Sequence, residues 1–403
     1  MPFARPDALA AELRRTLPDR PFAVRFWDGT ELEPTSGNGD APVLTARSPR
    51  ALAHVLRAPG QLGLGRAYVS GELEVDDLDK VLELLGTWSP PPLHRADRLR
   101  LLGAAGRAAG LTVPPPAPRA ELRPRGRRHS ATRDARSVRH HYDLPATFFS
   151  LFLGPSMTYS CAVFNRGATT LEEAQEAKNE LVCAKLGLRE GERVLDVGCG
   201  WGAFTTHAAS RHGVRVVGIT LSEPQAAEAR RRAAEAGVAD RVEIRVADYR
   251  DLAGESFDAV ASIGMVEHVG AVQIDDYARR LAALLPSGGR LLNHGIARLR
   301  HTDPEAGPFS ERYVFPDAAP LHLSRIQLAL ERAGLATEHV EGLAPDYART
   351  LTHWAENLDA HREEALALAG AERLRVWRLY LRAARSGFRS GFTSVYQVRC
   401  TRA

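Results

Sequence analysis

Three glycines at alternate positions, Gly198, Gly200 and Gly202, interrupt the run Arg193-Val-Leu-Asp-Val-Gly-Cys-Gly-Trp-Gly-Ala203, and no other stretch limits the fold as strongly. The apolar segment Val194-Leu195-Asp196-Val197 before them is short and bounded by a turn signal, so it reads as a buried strand. A helical pattern begins near Ala203. Glycine suits such a turn because the backbone must swing sharply and leave room for a ligand to approach the helix N-terminus.

Downstream the same alternation repeats. Strands are predicted at 214–220, 242–248, 257–264 and 289–296, with helices over 223–236 and 274–285 between them. Helices over 323–333, 347–368 and 371–386 and a final strand over 392–399 complete the pattern. Strands alternating with helices predict an α/β chain built on a doubly wound, mostly parallel sheet, whose ligands sit at the carboxyl ends of the strands.

Ahead of this region, residues 1–112 read as a smaller α+β domain. Phe22 to Trp27 alternates as a strand, Asp28-Gly29 marks a turn, Ser48-Pro49 starts a helix, and a helix over 76–85 sets Leu78, Val81, Leu82 and Leu85 on one face. None of these residues carries recognisable chemistry, and a packing or substrate-presenting role is expected. Residues 113–136 form a Pro/Arg-rich linker: Pro114, Pro115, Pro116 and Pro118 precede Arg119, Arg123, Arg125, Arg127 and Arg128. Such a segment cannot bury a core and should be mobile. Its arginines suit plain solvent or anionic lipid headgroups, which attract basic residues by about 1 kcal/mol per charge. Residues 137–403 form the domain that holds the glycine turn.

Composition narrows the setting. Hydrophobic residues at 44% and charged residues at 25% fit a globular enzyme. No apolar run approaches the roughly 18 to 20 residues of a membrane span, and Met1-Pro-Phe-Ala-Arg5 does not open like a signal peptide, so a cytoplasmic location is expected. A net charge of +4 carries little weight, and no nucleic-acid partner is expected. Cys161, Cys183, Cys199 and Cys400 lack Cys-x-x-Cys spacing; they read as reduced thiols, with no metal site expected.

Gly-x-Gly-x-Gly behind a strand bearing an acid resembles the first motif of class I S-adenosylmethionine (SAM) methyltransferases. In the dinucleotide fingerprint the third glycine comes one residue later. The longer form Leu195-Asp-Val-Gly-Cys-Gly-Trp-Gly202 resembles the cyclopropane fatty acid synthase family. A second match precedes it in the family's order: Val138-Arg-His-His-Tyr-Asp-Leu-Pro145, the aromatic run Phe148-Phe-Ser-Leu-Phe-Leu153, then Met157-Thr-Tyr-Ser-Cys161. The resemblance covers about 137–399 well and implies a Rossmann-like fold.

It also implies a SAM site made by Tyr159, Ser160, Asp196, Gly198, Gly200, Gly202, Thr220, Leu221, Gln225, Asp248, Tyr249 and Ile263. Asp248 and Tyr249 stand where this class sets an acid against the adenine amino group and an aromatic against its ring. After the second strand, Thr220-Leu221-Ser222-Glu-Pro-Gln225 lacks the acid that many class I enzymes aim at the ribose. Ser222 and Gln225 read as a capping box, so Gln225 is expected to cap a helix and bind the cofactor together.

The family's reaction is attack by an unactivated cis double bond of a phospholipid acyl chain on the sulfonium methyl of SAM. The alkene is a poor nucleophile, so the reacting atoms must be held in line and dry, and a base must then take one proton from the carbocation. The resemblance implies bound bicarbonate as that base, held by Cys161, Glu267, His294, the backbone of Ile296, and Tyr347. Each has an ordinary alternative: a buried thiol, a satisfied core histidine, a tyrosine that only starts a helix. Their joint appearance in family order favours the site. Ser262 to His268 and Asn293 to Ile296 are expected at the ends of the fourth and fifth strands, on the edge that carries the glycine turn.

Base position decides whether the cation closes to a cyclopropane or, after a hydride shift, becomes an exocyclic methylene. Here His294-Gly295-Ile296 replaces the family's common His-Thr-Ile, so the backbone near the anion is expected to be more adaptable. With Leu62 to Glu74, this resembles most the actinobacterial fatty acid 10-methyltransferases, which act on oleoyl chains en route to 10-methylstearic (tuberculostearic) acid. The expected activity is therefore 10-methylene formation, with a cyclopropane synthase, a small-molecule methyltransferase and a non-catalytic lipid-binding protein as alternatives. Expected partners are phospholipid acyl chains at the inner face of the membrane and a separate reductase for the methylene product, with a homo-oligomer left open.

Overall fold

The apolar runs become rungs of one large sheet. The computed structural model describes residues 5–36, 39–110, 115–122, 133, 144–302 and 307–403. They fall into two compact units: Met1–Arg123 with Gly307–Val314 and Ala369–Ser386, and Pro124–Ala306 with Phe315–Leu368 and Gly387–Ala403.

In the first unit, strands β1 (Ala23–Arg25), β2 (Glu31–Leu32), β3 (Val43–Ala46) and β4 (Leu73–Val75) form a sheet in the order β2-β1-β3-β4. Helices α1 (Asp7–Thr16), α2 (Pro49–Arg57), α3 (Gln61–Val69), α4 (Leu78–Thr87) and α5 (Arg95–Ala109) accompany it. The strand predicted over 22–27 stops early because Phe26 already closes the turn: its N–H donates to Thr30 O at 2.9 Å, and Gly29, at φ +89°, donates to Phe26 O. Ser48 caps α2 by accepting from Arg50 N. The helix expected over 76–85 starts two residues later, since the Asp77 carboxylate accepts from Asp79 N and Lys80 N and so becomes the cap.

Pro115 to Leu122 departs from the expected mobile linker. Glu121 makes a two-pronged ion pair with Arg66, both contacts at 2.6 Å, and accepts from the Tyr313 hydroxyl at 3.1 Å. Ala120 N donates to Glu372, and Leu122 N to Arg312 O. A carboxylate so paired holds its segment in place, which proline content alone did not reveal. Pro114, Arg123, Arg125, Arg127 and Arg128 lie outside the described residues, as do His141, Tyr142 and Asp143.

The second unit holds the seven-stranded sheet, in the order β10-β11-β9-β8-β5-β6-β7. Its strands are β5 (Arg193–Val197), β6 (Arg215–Thr220), β7 (Val242–Val246), β8 (Ala259–Ile263), β9 (Arg290–Arg298), β10 (Leu335–Gly342) and β11 (Thr393–Arg402). β5 to β9 pair in parallel, and β11 runs antiparallel between β9 and β10. Helices α6 (Ala146–Leu153), α7 (Leu171–Leu186), α8 (Ala203–His212), α9 (Glu223–Glu235), α10 (Ile274–Ala283), α11 (Leu323–Arg332) and α12 (Ala344–Ala360) belong to this unit. The core lies against both sheet faces: Leu195, Val197, Phe257, Val260, Tyr277, Leu281 and Leu291 in one cluster, Val182, Leu186, Val194, Phe204, Val216 and Leu292 in another. The α/β class and mostly parallel sheet are as expected, while strand β10 was not anticipated.

One placement needs correcting. Asn293 to Ile296 were expected at a strand end, yet β9 continues to Arg298 because β11 pairs with it throughout, from Arg290↔Thr401 to Arg298↔Thr393. Relative to β8 the expectation keeps its sense, since Ile263, the last residue of β8, stands opposite His294.

Candidate active site

The three glycines at the end of β5 all have positive φ, and each meets a different demand. A Cβ on Gly198 would lie 2.6 Å from Met265 Cγ, and one on Gly202 would lie 2.9 Å from Ala229 Cβ. A Cβ on Gly200 would meet nothing within 4 Å. Gly198 N and Cys199 N both donate to Ile219 O, at 3.0 and 2.9 Å, which ties the turn to β6. Gly198 and Gly202 thus permit close packing, whereas Gly200 leaves space open.

That space belongs to a cavity at the carboxyl ends of β5 to β8. Its wall takes Met157 to Ser160 from the segment after α6, Lys178 from α7, Asp196 to Trp201 from the end of β5 and the turn, Ile219 and Thr220 from the end of β6, and Leu221 and Gln225 after it. Ala247 to Arg250 follow β7, Ile263 ends β8, and Gly264, Met265, His268, Val269 and Gln273 follow it. Every residue expected to hold SAM lies on this wall except Gly202, which faces Ala229 of α9.

Electrostatics give the wall its character. Burial pushes the Asp196 carboxyl up to about 6, against a hydrogen bond from Thr205 Oγ1 at 2.7 Å. Lys178, 1% exposed, is pushed down to about 8 by the same burial, and its ammonium donates to Asn179 Oδ1 at 2.7 Å. Asp248 accepts from Arg250 N at 2.9 Å and pairs with the Arg250 guanidinium at 2.6 Å. Tyr249 sits edge-on to Tyr277, with ring centroids 5.5 Å apart.

The capping box expected at Ser222 is only half formed. Ser222 Oγ accepts from Gln225 N at 3.4 Å, but the Gln225 side chain turns to Thr220, whose hydroxyl donates to Oε1 at 2.8 Å. Gln225 Nε2 is left buried without a partner beside the cavity. Buried donors are seldom left so, and a ligand hydroxyl is the acceptor this atom suits.

Cys161, Glu267, His294, Ile296 and Tyr347 are not on that wall, but Ser160, Met265 and His268, close to Cys161 and Glu267 in sequence, and Ile263, which pairs with His294, are. Four of the five, Cys161, Tyr347, Ile296 and Glu267, are joined behind it, and His294 stands two residues before Ile296 on β9. The Cys161 thiol donates to Leu343 O at 3.7 Å, and Tyr347 N donates to the same carbonyl. Leu343 N donates to Val395 O, and Val395 pairs in register with Ile296. Ile296 N in turn donates to Glu267 Oε1 at 2.7 Å, so the amide expected to face an anion is here bonded to the carboxylate.

Among the described residues two buried polar atoms of this group have no hydrogen-bond partner, Glu267 Oε2 and His294 Nε2. Burial pushes the Glu267 carboxyl up to about 7 despite the Ile296 bond. His294 is pushed down to about 3, first by burial and then by Lys178 and Lys185, so the ring is neutral. Burial also raises the Cys161 thiol, which is a thiol and no nucleophile. Gly295, between the two key residues, is required by space: a Cβ there would lie 2.2 Å from Val266 Cγ1, and its φ is not positive. The glycine therefore marks a close approach and not the adaptable backbone expected of it. Tyr159 links the two groups through aromatic contacts, 5.3 Å to Trp354, which lies 6.1 Å from Tyr347.

Lys178 and Trp201 were missed by the sequence reading. Lys178 shares a helix face with Ala174, Leu181 and Val182, and a cation at the centre of an apolar face is the signal that was available. Away from the cavity, Cys183, His207 and His212 bring ligand atoms within 4.8 Å of one another. The two imidazoles already share Glu180 Oε2 at 3.2 and 3.0 Å, and burial holds the Cys183 thiol protonated, pushed up to about 12.

Residues 129–398 match the model of the mycolic acid cyclopropane synthetase family. The chain is 40% identical to the probable fatty acid methyltransferase Rv3720 of Mycobacterium tuberculosis, over 95% of this chain and 91% of that protein. It is 33% identical to the tuberculostearic acid methyltransferase UfaA1 of the same organism, over 98% of this chain and 92% of that protein. Among solved structures, the mycolic acid cyclopropane synthase CmaA1, complexed with SAH and CTAB, superposes with a TM-score of 0.63 at 35% identity, covering 66% of this chain and 98% of that one. The chain thus belongs to the mycolic acid cyclopropane synthetase family and is an enzyme of the SAM-dependent methyltransferase class.

Proposed function

We propose that this enzyme methylates the cis double bond of an oleoyl chain in a phospholipid, giving a 10-methylene acyl chain that a separate reductase converts to the 10-methyl branch. One observation carries the reading: Glu267 Oε2 and His294 Nε2 are buried and unpartnered behind a wall that otherwise fits SAM. A small oxyanion that both accepts and donates hydrogen bonds, as bicarbonate does, satisfies both atoms.

When bound, SAM supplies the electrophilic methyl group, and bicarbonate supplies the base that removes a proton from the carbocation. The protein's share is positioning and exclusion. Gln225 Nε2 and the open space over Gly200 receive the donor molecule, and the Asp248–Arg250 pair and Tyr249 close its far end. Tyr159 offers its face to developing positive charge, an attraction of about 2 kcal/mol in a dry site. Phe149, Phe152 and Trp354, within 6.4 Å of Tyr159 between ring centroids, exclude water that would trap the cation. Glu267, half-protonated near neutral pH, can donate or accept at Oε2 and so orient the base.

The likeness to UfaA1, a tuberculostearic acid methyltransferase, supports the methylene product. The name of CmaA1, a mycolic acid cyclopropane synthase, supports the other outcome, ring closure. Among the described residues no helix is long and apolar enough to cross a membrane, and we read contact with the acyl substrate as peripheral. Lipids from cells expressing the enzyme, resolved by gas chromatography and mass spectrometry, separate ring from methylene isomers. The expected product is the methylene at carbon 10; a cyclopropane overturns the preferred product, and unaltered lipids overturn the substrate class. Glu267→Gln and Tyr347→Phe should each lower turnover about tenfold or more while SAM still binds, the loss expected of groups acting in proton transfer. Full turnover in both removes the bicarbonate assignment.

A further inference from the structure

Among the described residues the His294 ring makes one hydrogen bond, and it runs across the sheet. The β9–β11 register sets Gln397 directly opposite it, and Gln397 Nε2 lies 3.0 Å from His294 Nδ1. The other end of that amide faces Lys185, whose ammonium donates to Gln397 Oε1 at 2.7 Å and to Glu341 Oε2 at 2.5 Å.

The donor and acceptor inventory fixes every orientation in this chain. An ammonium has no lone pair to offer, so the amide atom facing Lys185 must be the oxygen. The NH2 group then faces His294, and since an amide nitrogen accepts no hydrogen bond, Nδ1 must be the bare nitrogen of the ring. A neutral imidazole with bare Nδ1 carries its proton on Nε2. An imidazolium would set N–H against N–H, and burial beside two lysines already disfavours it. His294 is 2% exposed and Gln397 is fully buried, so water does not substitute for either partner. The outcome is an unpartnered N–H donor.

We propose that Gln397, itself held by Lys185, is a positioning residue that locks His294 in the Nε2–H tautomer, so that the ring offers a donor to a small oxyanion. This rests on the bicarbonate reading, which supplies the oxyanion. Nothing in the arrangement requires Gln397 to touch substrate or donor molecule; it acts through His294. A core histidine held for packing alone would be indifferent to which nitrogen bears the proton.

Gln397→Glu keeps the shape and the Lys185 contact but replaces a donor by an acceptor opposite Nδ1. Nitrogen NMR of the full chain labelled in histidine, with His294 assigned by its absence in His294→Gln, reads the tautomer directly. The expected wild-type ring has a bare Nδ1 and a protonated Nε2, and Gln397→Glu moves the proton to Nδ1. The bicarbonate concentration giving half-maximal rate should rise about tenfold or more, as for other orienting partners of functional histidines, with SAM affinity unchanged. Lys185→Met, which frees the amide to turn, should give a mixed tautomer and a smaller rise, and serves if Gln397→Glu fails to fold. A protonated Nδ1 in the wild type, or wild-type tautomer and bicarbonate dependence in both variants, overturns the inference. A wild-type rate indifferent to bicarbonate instead overturns the reading of the base, and the tautomer measurement is independent of that result.

Discussion

Ile296 N–H donates to Glu267 Oε1 at 2.7 Å, so one oxygen of a buried carboxylate is pinned to the central sheet while the other is bare. Burial makes this carboxyl costly to ionise, and the Ile296 bond offsets only part of that cost. Its folded value of about 7 lies above the 4.5 of an exposed glutamate, so between these two values the folded chain keeps a proton that the unfolded chain has lost. Stability contributed by this residue therefore falls as pH rises from 4.5 to 7 and stays reduced above that window. Glu267→Gln keeps the Ile296 bond and removes the titration. Its stability relative to wild type should grow across the window, by about 3 kcal/mol in total. Denaturant unfolding at a series of pH values checks this, and a difference constant from pH 4 to 8 contradicts it.

Gly200 and Gly202 should respond oppositely to alanine. At Gly202 the new Cβ meets Ala229 at 2.9 Å with φ at +81°, so Gly202→Ala should cost about 3 kcal/mol of stability through overpacking and strain. At Gly200 the space is empty and φ is +55°, so Gly200→Ala should cost only about 1 kcal/mol. Its methyl group enters the cavity, however, and SAM binding by calorimetry should be weakened far more by Gly200→Ala than by Gly202→Ala.

Gly295→Ala drives a methyl group toward Val266, two atoms that would stand 2.2 Å apart, and so displaces the segment bearing Glu267. Turnover should fall, with a loss of about 2 kcal/mol in stability. Adding Val266→Ala should restore most of both, because the two sites share the same space. Failure of that rescue would show that the glycine serves another purpose.

Lys178→Met removes a cation that is buried within the wall of the cavity and faces Asp196. Removing the cation alone leaves the buried Asp196 carboxyl without the opposite charge it faces, so stability should fall. SAM affinity should fall about tenfold, the equivalent of about 1.4 kcal/mol, as a buried positive charge no longer faces the ligand's carboxylate. Unchanged affinity by calorimetry would assign Lys178 to the fold alone.

Much of the site was legible because parallel strands buried on both faces read as plain apolar runs, as at Val194–Val197 and Val216–Ile219. Where each run ends, the chain must turn, and polar residues such as Asp248 declare themselves. β10 was illegible for the converse reason: Leu335-Ala-Thr-Glu-His-Val-Glu-Gly is an edge strand, exposed along most of its length, and carries no apolar signature. The true end of β9 depends on pairing with residues a hundred positions later, which local pattern cannot report. Lys178 and the Thr220–Gln225 bond were hidden because they arise from tertiary burial of ordinary helix residues. The attachment of Glu121 to Arg66 and Tyr313 was hidden by distance in the chain.

β11 lies inside the sheet yet follows every other element in sequence order. Without β11, β9 and β10 would stand in the sheet with a gap between them. His294 has no Gln397 to face until that gap is filled. A lesion in β11 would thus leave the glycine turn whole and still take from the His294 ring the neighbour that, on our reading, sets its proton.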